Sequence, residues 1–152
     1  KGALLVLTER MTREEEIYKI DAKSIKEVCT RLDSIEISLG HSAFKERYKT
    51  ITCDNGVEFL DSEWIETSLG TNKPRTELYY CHPYCSSERG SNENANRLIR
   101  RWIPKGADIS QYDEEYISTI QEWMNNYPRA IFEGLSANDI VQSQKSQRPS
   151  AL

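Results

Sequence analysis

The stretch Tyr48-Lys49-Thr50-Ile51-Thr52-Cys53-Asp54-Asn55-Gly56-Val57-Glu58-Phe59 decides how the chain is read. Its first six residues alternate in polarity with period two, the pattern of a half-buried strand. Asn55-Gly56 then breaks the run with a strong turn signal. Asp54 is thereby set at the C-terminal end of a strand, the edge of an α/β sheet where ligands commonly bind. Aspartate before a turn also caps it through its own side chain, and on this residue alone that plain role is the stronger reading.

Working outward, Ala3-Leu4-Leu5-Val6-Leu7-Thr8 is a continuous apolar run suited to a strand buried on both faces. Glu16-Ile17-Tyr18-Lys19-Ile20 alternates, and the charged turn over 9–14 joins the two as a hairpin. Asp21 is the expected N-cap of a helix carrying Ile25, Val28, Cys29 and Leu32, with Ile35 and Leu39 extending the stripe and Gly40 stopping it. A short helical turn fits 42–47. Ser62 to Leu69 reads as a helix capped by Ser62 and closed by Gly70, and Thr76–Cys81 as a further strand. His82 to Gly90 reads as a loop, followed by a helix from about Asn92 to Trp102 that Pro104 and Gly106 stop. Ser110 opens another helix, with Asp113 three residues on and a stripe of Tyr112, Tyr116, Ile120, Trp123, Met124 and Tyr127 that Pro128 ends. Ser136 caps a last short helix through Val141, and 142–152 reads as a flexible tail. This order is an α/β pattern with an antiparallel start.

The 152 residues fit one domain, 1–141, ahead of that tail. Lys and Arg number 20 against 24 Asp and Glu, a formal net charge of −4. That balance excludes a protein basic enough overall to coat DNA and leaves room for a local basic patch. No apolar run approaches the ~20 residues that span a bilayer, so no membrane association is expected. The four cysteines lack the spacing of a disulfide framework and read as reduced thiols of a cytoplasmic protein. Cys81, His82 and Cys85 offer three zinc ligands, but no second Cys/His cluster closes a tetrahedral site.

Glu93 falls in the polar run Arg89-Gly90-Ser91-Asn92-Glu93-Asn94-Ala95-Asn96, in the first turn of the expected helix. The helix dipole favours its ionised form there, and a solvated glutamate satisfying an N-terminus is the plain alternative. Glu93, Arg97 and Arg100, spaced by four and three, share one face with Asn96 beside it. Arg101 and Lys105 add positive charge, and no acid occurs between Asn94 and Ala107. Guanidinium forks suit phosphate, so this strip next to a lone carboxylate suggests anion binding beside a metal. The opposite side, Ala95, Leu98, Ile99 and Trp102, is apolar enough to pack. An ordinary amphipathic helix with a basic outer face is the alternative.

Taken together, the two segments carry a resemblance. Lys49 to Phe59 resembles the T-x-D-N-G-x-E-F strand of integrase catalytic cores. Pro83-Tyr84-Cys85-Ser86-Ser87-Glu88-Arg89-Gly90-Ser91-Asn92-Glu93-Asn94-Ala95-Asn96 resembles the P-Y-S-S-x-E-R-G-x-N-E-N-x-N segment of bacterial insertion-sequence transposases, in the spelling of the insertion-sequence-thirty group. Lys1-Gly2-Ala3-Leu4-Leu5, Thr8-Glu9-Arg10, Pro104-Lys105-Gly106 and Asn126-Tyr127-Pro128-Arg129 match further landmarks of that group.

The resemblance implies an RNase H-like fold, a mixed sheet flanked by helices, and DDE chemistry. In that chemistry three carboxylates hold two Mg2+ (or Mn2+) ions that activate water or a DNA 3′-hydroxyl. It makes Asp54 the second acidic ligand and Glu93 the third, both catalytic. Asn96 and Arg97, and more weakly Arg100, occupy positions that contact DNA. The implied function is the catalytic core of a transposase or integrase that cleaves DNA and transfers strands. The alternatives are a non-catalytic DNA-binding remnant of a mobile element and an RNase H-like nuclease. The group's first aspartate lies on a central strand ahead of Ala3, and no residue of Lys1–Arg10 replaces it. The expectation is therefore an N-terminally truncated core, inactive alone, whose open strand edges are closed by homo-oligomerisation or a strand swap. Glu58 is expected to hold the loop after Asp54 and not to bind metal.

Overall fold

In the computed structural model the described residues are 1–147, less the side chains of 86, 88 and 89. The chain runs through β1 (Ala3–Thr8), β2 (Glu15–Ile20), α1 (Ile25–Leu39), α2 (His41–Arg47), β3 (Thr50–Cys53), α3 (Ser62–Glu66), β4 (Glu77–Tyr80), α4 (Ser86–Ile99), α5 (Glu114–Asn126) and α6 (Ala137–Gln147), with short 3-10 turns at Val57–Phe59, Ile109–Gln111 and Ala130–Phe132. This is the mixed α/β composition that the alternating and helical stripes predict. The strands form two separate two-stranded sheets, β1 with β2 and β3 with β4. The chain divides into two compact units: Lys1–Ala3 with Ile20–Arg89, and Leu4–Lys19 with Gly90 onward.

In the first unit β3 and β4 are parallel, Thr50 opposite Glu77 and Cys53 opposite Tyr80. A parallel pair needs a crossover, which α3 and the turn before it supply. α1 buries Val28, Cys29, Leu32 and Ile35, and packs on α2 and α3, whose Phe44 and Ile65 are also buried. Arg75 is fully buried among them. Its guanidinium donates to Asp33 Oδ1 at 2.7 Å, to the Ile65 carbonyl at 2.9 Å and to the Trp64 carbonyl at 3.1 Å, and lies over the Phe44 ring. Ser68 donates to buried Glu36 at 2.5 Å. A buried charge persists only when paired and hydrogen-bonded in this way.

In the second unit the six-residue turn between β1 and β2 allows only antiparallel pairing, and Glu9 N–H donates to the Glu14 carbonyl at 2.8 Å to close it. Ile17, Ala95, Leu98, Ile99, Ile103, Ile117, Ile120 and Met124 form the core. α5 satisfies backbone groups of β2. Glu15 N–H donates to Asn125 Oδ1 at 2.7 Å, Asn125 Nδ2 returns a bond to the Glu15 carbonyl at 3.0 Å, and Ile17 N–H donates to Gln121 Oε1 at 2.8 Å. Polar side chains thereby supply part of the pairing an edge strand lacks.

Several boundaries differ from the sequence reading. Ser24, not Asp21, caps α1, accepting from Glu27 N–H. Asp61, not Ser62, caps α3, which ends at Glu66. α4 begins six residues before the expected Asn92 and ends at Ile99, three short of Trp102. Asp113 caps α5 directly, while Ser110 sits in the 3-10 turn ahead of it. α6 continues to Gln147, so 142–147 of the expected tail is helical and 148–152 lies outside the described residues.

Candidate functional site

Asp54 follows β3 directly and is exposed. Its Oδ1 accepts from Gly56 N–H at 3.0 Å, the turn-capping bond, and its other oxygen makes no hydrogen bond among the described residues. Asn55 Nδ2 reaches the Cys81 carbonyl at 3.5 Å, tying the turn to the end of β4. Glu58 folds beneath the loop and is buried, with Oε1 3.0 Å from Lys23 Nζ and Oε2 without a hydrogen bond. A β-carbon on Gly56 would stand 2.6 Å from Glu58 Oε2 and 2.8 Å from Oε1, so any other residue there makes the Glu58 carboxylate shift. Glu58 thus packs against Gly56 and pairs with Lys23 of another segment. Behind the loop, Cys53 is buried; desolvation first, then the neighbouring Asp54 charge, pushes its thiol up to about 12, so it stays protonated.

Magnesium takes hard oxygens, one or two of them from carboxylates, and completes its octahedron with water and phosphate. The open oxygen of exposed Asp54 fits one such position. Among the described residues no group of three or more His, Cys, Asp or Glu is gathered for a metal, Cys81, His82 and Cys85 included. All four cysteines are free thiols.

Glu93 lies in the second unit, in the middle of α4 and exposed. The early start of the helix removes the dipole argument, because that field acts on the first turn. The spacing argument holds: Glu93, Asn96, Arg97 and Arg100 are exposed, whereas Ala95, Leu98 and Ile99 are buried in the core. Arg97 donates to Asn94 Oδ1 at 2.7 Å. Arg101 lies beyond the helix end, donating to the Tyr127 hydroxyl at 3.0 Å with its guanidinium over the Tyr127 and Trp123 rings. Lys105 is exposed in the turn after Pro104. Two further arginines, Arg13 and Arg129, line one cavity with Arg97. The sequence reading gave neither a site role, because Arg13 sits in a charged turn without periodicity and Arg129, named only as a landmark of the resemblance, follows a helix-ending proline.

No protein-family profile matches the chain. Among curated relatives it is similar to the transposase for insertion sequence element IS4351 of Bacteroides fragilis, 37% identical over 91% of this chain and 40% of that protein. It is similar to the probable transposase for insertion-like sequence element IS1161 of Streptococcus salivarius, 31% identical over 92% of this chain and 36% of that protein. The transposase InsI for IS30A of Escherichia coli strain K12 is 27% identical over 91% of this chain and 34% of its own length. The chain thus spans between about a third and two-fifths of the length of the curated relatives it matches.

Proposed function

We propose, from the premise that this chain is a homologue of insertion-sequence transposases, that it is the catalytic-core region of a DDE transposase with an RNase H-like fold. The observation that carries the reading is similarity to transposases over nine-tenths of the chain, motif segments included. Asp54 and Glu93 are two of the acidic residues toward Mg2+ (or Mn2+). When bound, the metal polarises the phosphodiester and makes water or a 3′-hydroxyl a stronger nucleophile. The chain's own residues hold the parts in place. The Asp54–Gly56 bond and the Glu58–Lys23 pair fix the carboxylate loop, while Asn96, Arg97, Arg100 and Lys105 hold DNA phosphates. Arg101 contributes charge from its aromatic seat. The whole protein's activity is DNA strand cleavage and strand transfer.

Calorimetric titration of Mn2+ into the wild type, Asp54→Asn and Glu93→Gln tests this. Binding that each substitution abolishes is the expected result. Binding that survives both in folded protein overturns the assignment of the two carboxylates. No binding by a wild type that still binds DNA replaces the catalytic reading with a non-catalytic DNA-binding one.

A further inference from the structure

The second unit contains a cavity of about 510 Å³, of whose lining residues only Arg97 has a role above. One wall is a stripe of α4 that includes Ser91, Asn94 and Arg97; Arg13, from the turn between β1 and β2, and Arg129, after α5, complete it. Three arginines therefore line one cavity, and no carboxylate lines it among the described residues.

Each arginine is held in a different way. Arg129 is only 5% exposed; its Nη2 donates to the Met124 carbonyl at 3.3 Å and the Arg13 carbonyl at 3.4 Å, while its Nε is buried with no hydrogen-bond partner. A buried donor left unsatisfied costs free energy and is stabilised by any acceptor that reaches it. Arg13 has a left-handed backbone, φ +61, rare for a side chain of this size. It donates Nη1 to Ser91 Oγ, which turns its guanidinium toward α4. Arg97 is exposed at the rim. Among the described residues Glu15 pairs with this group, its Oε1 3.9 Å from Arg129 Nη2. Burial pushes Glu15 up to about 7, so near neutral pH it cancels the Arg129 charge only in part.

We infer that this cavity binds a phosphate group, with Arg129 at its base and Arg13 and Arg97 at its rim, and that the DNA backbone delivers that phosphate. Guanidinium forks pair bidentately with tetrahedral oxyanions, and several donors around one acceptor outdo a single exposed cation. The Ser91 hydroxyl and the Asn94 amide add neutral partners that fix orientation. The assignment to DNA rests on the function proposed above; the phosphate chemistry does not.

The test uses the whole chain with two probes, pyrophosphate and a short fluorescein-labelled DNA duplex. The variants are Arg13→Gln, Arg97→Gln and Arg129→Lys, with Lys26→Gln, on an exposed position of α1, as control. The expected result has three parts. Pyrophosphate shifts the Ser91 and Asn94 amide resonances saturably. The rim variants weaken duplex binding about threefold or more, and each lowers the slope of log K against log salt by about 0.9. Lys26→Gln changes neither. Should Arg129→Lys fail to fold, the rim variants carry the result, since Arg97 is exposed. No saturable shift, with rim variants binding duplex like the wild type, overturns the site. A saturable shift with unchanged duplex binding overturns the DNA assignment and leaves free phosphate as the ligand. Mn2+ binding by Asp54 and Glu93 is read separately, so failure of the catalytic reading does not imitate failure of this one.

Discussion

Gly56 and Glu58 show how one side chain sets the space for another. Gly56 has φ −63 and ψ 146, a conformation any residue adopts, so its requirement is steric and not conformational. Gly56→Ala places a methyl group 2.6 Å from the Glu58 carboxylate, which must shift and so strains its bond to Lys23. The expected loss is about 1–2 kcal/mol by urea unfolding. Adding Glu58→Ala should recover part of that loss, a coupling that a double-mutant cycle measures. A purely additive pair would show that the two residues do not meet as described. This pairing was partly legible in the sequence, since the Asn-Gly turn and the following acid mark a held loop. The buried depth of Glu58 was not, because a charged residue is normally assigned to the surface.

Glu15 gives the pH prediction. Burial, outweighing the Thr8 hydrogen bond and the Arg129 charge, raises its carboxyl from an ordinary 4.5 to about 7. The folded chain therefore holds this proton where the unfolded chain has released it. The stability contribution is full below pH 4.5, declines as pH rises toward 7, and stays lost above. The span is on the order of 3 kcal/mol. Glu15→Gln should flatten that dependence and make the variant the more stable protein at about pH 8. Unfolding curves across the window check it, and a wild type that gains on the variant as pH rises would contradict it.

At the scale of elements, capping side chains decide where helices start. Asp113 accepts from Tyr116 N–H at 2.7 Å, whereas Ser110 bonds Asp108 in the preceding turn. Asp113→Ala should cost about 1 kcal/mol, and Ser110→Ala no more than a few tenths, in thermal unfolding. Equal costs would return the cap to Ser110. Ser24-Ile25-Lys26-Glu27 carries the capping-box spelling that places the start of α1, so that boundary was legible to a closer reading. The start of α4 was not. Glu88-Arg89-Gly90-Ser91 has the composition of a loop, and only Ala95, Leu98 and Ile99 near the helix end give it a buried stripe. Intrinsic preference argues against a helix at Gly90, and the side-chain bond from Arg13 to Ser91 is a non-local contact that no local pattern records. The same limit hid the roles of Arg13 and Arg129, which line a cavity with Arg97 from segments far apart in sequence.

For the whole molecule, charge is the scale that matters to DNA. A net charge of −4 repels DNA at long range, so binding must come from short-range contacts of a few arginines and lysines. Two variants separate these contributions. Glu46→Lys changes the net charge by two on an exposed position of α2. It should strengthen duplex binding at low ionic strength and lose that advantage by 0.15 M salt, where the screening length is about 8 Å. Arg97→Gln removes a phosphate contact, and its penalty should shrink between the two salts with a slope of about 0.9 in log K per log salt, because one counterion fewer is released on binding. Fluorescence anisotropy at two salt concentrations reads both. If Glu46→Lys keeps its gain at the higher salt, α2 itself touches DNA and the binding face extends beyond α4. If Arg97→Gln binds with the wild-type salt slope, Arg97 does not hold a phosphate.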